Sequence, residues 1–234
     1  MNAIGENLPF LLDGFVLTLG YAGGALVIAM FLGGVLGTVD YAVHYRPVRW
    51  AIRAFIGLFR NTPFIVQLYI WFFGLPYVGV QFSPAAASLL SLGLYGSSYV
   101  TEIVRAALVG VGTEQEEAAL SVGLDHRDVT MRIVWPQAFP AMVPALTNEA
   151  VALVKNTSLL GFITVTELTL RTQQAISSTF ASLPLYLTAG VMYLVANVVL
   201  TVLARRVEKV LARRRRGSAL DLGSGSRTEV TVHA

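Results

Sequence analysis

The sequence predicts an all-α protein that crosses a membrane about five times. Three observations carry this. Hydrophobic residues make up 55% of the 234, charged residues only 13%, and the charges are separated by long uncharged intervals. A soluble domain normally carries about 25% charged residues because its surface faces water. Here most of the surface must face something apolar.

Charges mark the ends of spans, since each costs several kcal/mol at the bilayer centre. Nothing between Asp13 and Asp40 is charged, which gives the first span. The forty-one uncharged residues between Arg60 and Glu102 suffice for two more. Their break is expected from Gly74-Leu75-Pro76 to Ser83-Pro84, where glycine and proline suit a turn. The fourth span, Ala138 to Val165, is apolar but interrupted by Pro140, Pro144, Glu149 and Lys155. Such broken, polar-bearing helices are tolerated where they line a cavity. The fifth lies in the uncharged interval Thr172 to Ala204, with its apolar core from Leu185 to Leu203.

Basic residues set the orientation. Arg46, Arg49, Arg53 and Arg60 fall in the loop after span one, and Arg127 and Arg132 in the loop after span three. Seven of the seventeen basic residues lie between Arg205 and Arg216. The turn between spans two and three has none, and the loop before span five has Arg171. This alternation predicts an outside N-terminus and an inside C-terminus. Residues 1–12 are then an external segment, 13–212 the membrane domain, and 213–234 a basic, polar, unstructured cytoplasmic tail. The start of the chain lacks a basic n-region, so no cleavable signal is expected. A basic run beside an apolar span points to lipid headgroups rather than nucleic acid. In span one, Gly20 and Gly24, and Gly33 and Gly37, are spaced for close helix approach, either within the chain or against a second subunit.

The loop 113–136 has its own helix signals. Thr113 with Glu116 reads as a capping box, and Gly123 as a helix stop. Asp125 and Asp128 are placed to start a second short helix, with Trp135-Pro136 closing it. Within the spans, Glu102 and Arg105 are positioned to pair at i, i+3. Glu149 and Lys155 point about 120° apart on an ideal helix, so a simple pair between them is not expected.

Several chemistries are excluded. There is no cysteine, so disulfides and thiol chemistry are absent. No phosphate loop G-x-x-x-x-G-K-[ST] occurs, so this chain is not expected to bind ATP. The histidines His44, His126 and His233 all lie outside the predicted spans, which leaves an intramembrane protease or zinc site without residues.

The order Glu117-Ala118-Ala119, Gly123, Ile133 and Trp135-Pro136 resembles the loop signature of permease subunits of ABC importers. Trp135 departs from it, since the family usually has leucine there. Arg60-Asn61-Thr62-Pro63 with Gln67 and Phe73-Gly74-Leu75-Pro76 is similar to a second-span motif of the polar amino acid branch. Tyr99-Val100-Thr101-Glu102-Ile103-Val104-Arg105 resembles its third-span motif. Trp135-Pro136-Gln137-Ala138, Pro144, Asn148 and Lys155-Asn156-Thr157-Ser158-Leu159 resemble its fourth. Together they cover roughly residues 10–210.

The resemblance implies the type I importer permease architecture and a non-catalytic transport subunit in a bacterial plasma membrane. It implies that Glu117, Ala118, Ala119, Gly123, Ile133 and Pro136 couple to a separate ATPase, with ATP and Mg on that partner and no cofactor on this chain. The implied partners are two ATPase subunits, a second permease copy or relative, an extracytoplasmic amino-acid-binding protein and the bilayer, but no nucleic acid. The implied mechanism is alternating access. Gln67, Glu102, Asn148, Glu149, Lys155, Asn156, Thr157 and Ser158 are the candidates for the substrate pathway, with interdomain pairing as the other reading of the charged ones. Glutamate or glutamine leads as cargo, followed by a basic amino acid. A passive channel or membrane scaffold is the alternative, and it leaves the loop without a purpose.

Overall fold

The first helix, α1, runs from Asn2 to Ala42 and contains the uncharged apolar stretch between Asp13 and Asp40. The computed structural model describes the backbone of residues 2–224 and the side chains of 3–211. Residues 2–12, expected to stand apart from the first span, are continuous with it because nothing before Asp13 breaks the helix. Among the described residues every regular element is helical.

The loop expected after span one is instead a helix, α2 (Arg46–Arg60). Its buried residues Ile52, Ile56 and Phe59 recur at helical spacing, so one face packs inward while Arg46 and Arg53 face out. Arg60-Asn61-Thr62-Pro63 breaks the chain between α2 and α3 (Phe64–Tyr69). Beyond α3 the helix widens at Ile70–Gly74, tightens at Leu75–Val78, and turns at Gly79, whose φ of 83° suits glycine. Ser83 then caps α4 (Pro84–Val109) by accepting from the Ala86 amide. This is the break that the sequence predicts.

Contacts between α1 and α4 dominate the fold. A Cβ on Gly33 would lie 2.6 Å from Val100 Cβ, and one on Gly37 would lie 2.7 Å from the Thr101 carbonyl. These glycines therefore serve packing inside the chain. Gly24 meets Leu89, whereas Gly20 meets nothing. The buried hydroxyls of α4 satisfy themselves: Ser88, Ser97, Ser98 and Thr101 each donate to a carbonyl three or four residues back. That lets a polar helix be buried without partners elsewhere.

After α5 (Thr113–Ser121) and α6 (His126–Asp128) the chain does not stop at Trp135-Pro136. It continues through a wide helical turn, Val129–Val134, into α7 (Trp135–Asn156). Pro136 stands at the first turn of α7, where its missing N–H is accommodated beside the widened turn. Pro140 and Pro144 also lie inside α7, so span four breaks only at the tight turn Thr157–Ile163.

A short helix α8 (Leu168–Thr179) follows, then α9 (Ser182–Ser224). Residues 213–224 of the expected unstructured tail are thus helical, α9 continuing through Gly217 to Ser224. The rest of that expected tail, 225–234, lies outside the described residues. Ala3–Ala42 and Ser182–Leu211 are each long and apolar enough to cross a membrane alone. The segment from His126 to Thr179 passes the same test as a pair bent by 52°, and Phe64–Val78 is a shorter apolar helix. The main core lies between α1, α3, α4 and α7, around Leu68, Leu92, Leu108 and Leu153. A second cluster, Leu11, Leu168 and Leu185, ties α1, α8 and α9.

Candidate functional site

Two regions meet the sequence criteria: the loop at one end of the fold, and the polar part of α7. The loop is built by its two positive-φ glycines. Gly112 (φ 90°) turns the chain out of α4, and Gly123 (φ 87°) ends α5. The Gly123 amide donates to the Leu120 carbonyl and the Leu124 amide to that of Ala119. This pair of bonds is a Schellman stop, as the sequence predicts. The capping box is not formed. Gly112 occupies the N-cap and Thr113 is already helical, so no side chain caps α5. Asp125 does cap the next turn, accepting from the Asp128 amide at 2.7 Å.

Ala119 is buried against the main core, while Glu117, Ala118 and Gly123 are exposed. Ile133 is half-buried and Pro136 exposed. The loop thus has an anchored side and a free side carrying Glu117 and Ala118. Trp135 fixes it further: its indole N–H donates to Thr38 Oγ1 at 3.0 Å, and Thr38 donates to the Gly34 carbonyl. The departure from leucine adds a polar tie between α7 and α1.

The α7 candidates separate into two groups. Glu149 is buried, and its Oε1 has no hydrogen-bond partner. Arg60 and Tyr95 lie within electrostatic reach of it. Asn156 lies beside Tyr95, whose hydroxyl donates to Tyr99 at 3.2 Å. Arg60 stacks over the Tyr99 ring, 5.0 Å from its centroid. Asn148 and Lys155, in contrast, are exposed. Among the described residues no ion pair joins Glu149 to Lys155. Thr157 and Ser158 return their hydroxyls to backbone carbonyls of α7.

Gln67 is occupied differently. Its amide nitrogen donates to Phe59 O, Thr62 O and Thr62 Oγ1, closing the junction between α2 and α3. Glu102 pairs with Arg105 at 2.7 Å, as its spacing predicts, and with Arg60 at 3.7 Å. It also lines a cleft of about 660 Å³ between α4 and α7, beside Ala106, Ala141 and Ala145.

Three features escape sequence reasoning. Buried Asp40 lies between Arg49 (3.5 Å) and Arg105 (3.6 Å), joining α1, α2 and α4. Arg171 reaches Asp13 at 3.2 Å and stacks on Phe10. Glu167 is fully buried and caps α8, accepting from the Thr169 and Leu170 amides at 2.9 Å and from the Tyr193 hydroxyl at 2.8 Å. The one available signal for Glu167 was its position just before an amphipathic run.

The family described as "binding-protein-dependent transport system inner membrane component" matches residues 29–213. The chain belongs to this family. It is 32% identical to an arginine transport system permease protein of Bacillus subtilis, over 88% of this chain and 94% of that one. It is 34% identical to a probable glutamine ABC transporter permease protein of the same organism, over 87% and 94%. An amino acid ABC transporter crystal structure superposes with a TM-score of 0.82 at 26% identity, covering 88% of this chain and 96% of that one. A methionine ABC transporter in an inward-facing conformation shares the fold, with a TM-score of 0.72 at 20% identity. The chain is therefore a transport permease subunit of the bacterial cell membrane, of the amino acid ABC transporter kind. The expected family and the all-α permease fold are borne out.

Proposed function

We propose that the chain carries polar amino acids inward by alternating access, driven by ATP hydrolysed on a separate subunit. Glutamate or glutamine is favoured as cargo and a basic amino acid comes next. Relatives named for glutamine and for arginine support this class. The membrane path has five spans, with the N-terminus outside and the loop 113–136 and C-terminus inside. Two ATPase subunits, a second permease and an extracytoplasmic binding protein complete the machine.

The observation that carries this reading is the continuity of the loop with α7. From the Asp125 cap the helix runs without a stop to Asn156. Trp135 and Glu149 are then about 21 Å apart along one rod. α5 is separated from this rod by the Gly123 stop but packs against its Val129–Val134 turn, so a displacement of α5 by the ATPase is passed through that contact to the polar part of α7. ATP-driven closure draws two such loops together and opens the cavity outward, and hydrolysis resets it. Glu149, with one oxygen unpaired, suits a substrate ammonium or guanidinium. Arg60 suits a carboxylate.

Glu117→Lys reverses the charge on the exposed side of α5 while leaving buried Ala119 in place. ATP-driven uptake in proteoliposomes is expected to fall at least about tenfold, with membrane insertion and thermal stability unchanged. Undiminished uptake would end the coupling account. Competition of radiolabelled glutamine uptake by glutamate and arginine ranks the cargo classes.

A further inference from the structure

The outward face of α2 has no role in the transport reading. Arg46, Trp50, Arg53, Ala54 and Leu58 fall on one stripe, opposite the packed residues Ile52, Ile56 and Phe59. Trp50 is 74% exposed and Leu58 63%. At the start of the stripe, Arg46, Pro47, Arg49, Trp50 and Arg53 line a cleft of about 640 Å³. Arg49 is engaged by Asp40, but among the described residues neither Arg46 nor Arg53 has an acidic partner. At its other end, Leu58 opens onto a second groove of about 190 Å³. Its walls include Val66, Ile70, Trp71 and Leu75, and they are almost wholly apolar.

We propose that this face binds one anionic phospholipid. Its phosphate sits between Arg46 and Arg53, and one acyl chain lies along Ala54 and Leu58 into the groove between α2 and the Ile70–Leu75 segment. The stripe changes from cationic to apolar over about 18 Å, from Arg46 to Leu58. That distance and that order match a phospholipid's headgroup and upper acyl chain. An exposed tryptophan beside arginines is the side-chain set of a membrane interface, where the ring sits at headgroup level. An acidic protein surface accounts for the arginines but leaves the apolar groove empty. A bound lipid covers both. The inference rests on the chain being membrane-embedded, and on neither its cargo nor its orientation.

The test uses the purified transporter complex and native mass spectrometry after exchange into mixed micelles. Palmitoyl-oleoyl phosphatidylglycerol is compared with phosphatidylcholine of the same chains. Retention of phosphatidylglycerol is expected to exceed that of phosphatidylcholine by about tenfold. The preference should vanish in Arg46→Gln/Arg53→Gln and persist in Arg46→Lys/Arg53→Lys. Leu58→Trp fills the groove, so it should weaken the long-chain lipid while sparing dihexanoyl phosphatidylglycerol. Equal retention of the two wild-type lipids, or an undiminished preference in the glutamine variant, overturns the proposal. So does a second copy seated on the groove. Because the chain has no cysteine, Leu58→Cys reports that directly, as a disulfide-linked permease pair in native membranes. Uptake itself is not read in this experiment, so failure here leaves the transport account standing.

Discussion

Glu167 and Glu149 are both buried carboxylates within eighteen residues of each other, yet their surroundings are opposite. Glu167 accepts two amide bonds and a tyrosine hydroxyl bond, with Thr18 at 3.4 Å, and so joins α1, α8 and α9. Glu149 leaves one oxygen without a partner, near Arg60 and Tyr95. A buried charge whose bonds are all made is a structural clasp. One with a buried oxygen left without a partner costs stability, and a ligand that supplies a donor recovers that cost.

The sharpest way to break this contrast is Glu167→Ala. It removes a helix cap and a charged hydrogen bond together, so a loss of about 3 kcal/mol or more is expected in detergent unfolding followed by tryptophan fluorescence. A smaller loss of about 2 kcal/mol is expected for Gly37→Leu, since the Thr101 carbonyl and Val104 leave no room for a side chain. This tests whether the α1–α4 contact ranks between the two acids. Trp135→Phe deletes the bond to Thr38 and trims the ring's packing on the core, and should cost about 1.5 kcal/mol. Smallest of all should be Glu149→Gln, within about 1 kcal/mol of the parent, but with a changed KM for uptake. If that variant unfolds as readily as Glu167→Ala, the two acids are alike and the contrast is lost.

Much of the architecture was legible in sequence because charge is so costly in lipid. The empty interval from Asp13 to Asp40, the turn near Gly79 and the Gly123 stop all appear where charges, prolines and glycines placed them. The α2 helix was missed because its arginines read as loop markers, although their spacing also fits an amphipathic helix. The end of α6 was misplaced because Trp135-Pro136 reads as a stop, and only a widened turn lets the helix pass through it. Of the pathway candidates, Glu149 and Asn156 are brought near Arg60 and Tyr95, while Asn148 and Lys155 face outward from this chain. Gln67 proved to be the fastener of the α2–α3 junction, a role invisible without the bend at Pro63.

The sequence by itself determined that this chain lives in a membrane, where its charges lie along the chain, and which family's motifs it carries. Each of these depends only on local composition and spacing. Tertiary structure alone decided which buried acid is satisfied and which is left open, and that Asp40 holds α1, α2 and α4 together. The reason is physical. Whether a carboxylate is a clasp or a site depends on donors that sit far away in sequence, such as Tyr193 for Glu167, and only folding brings them within hydrogen-bond reach.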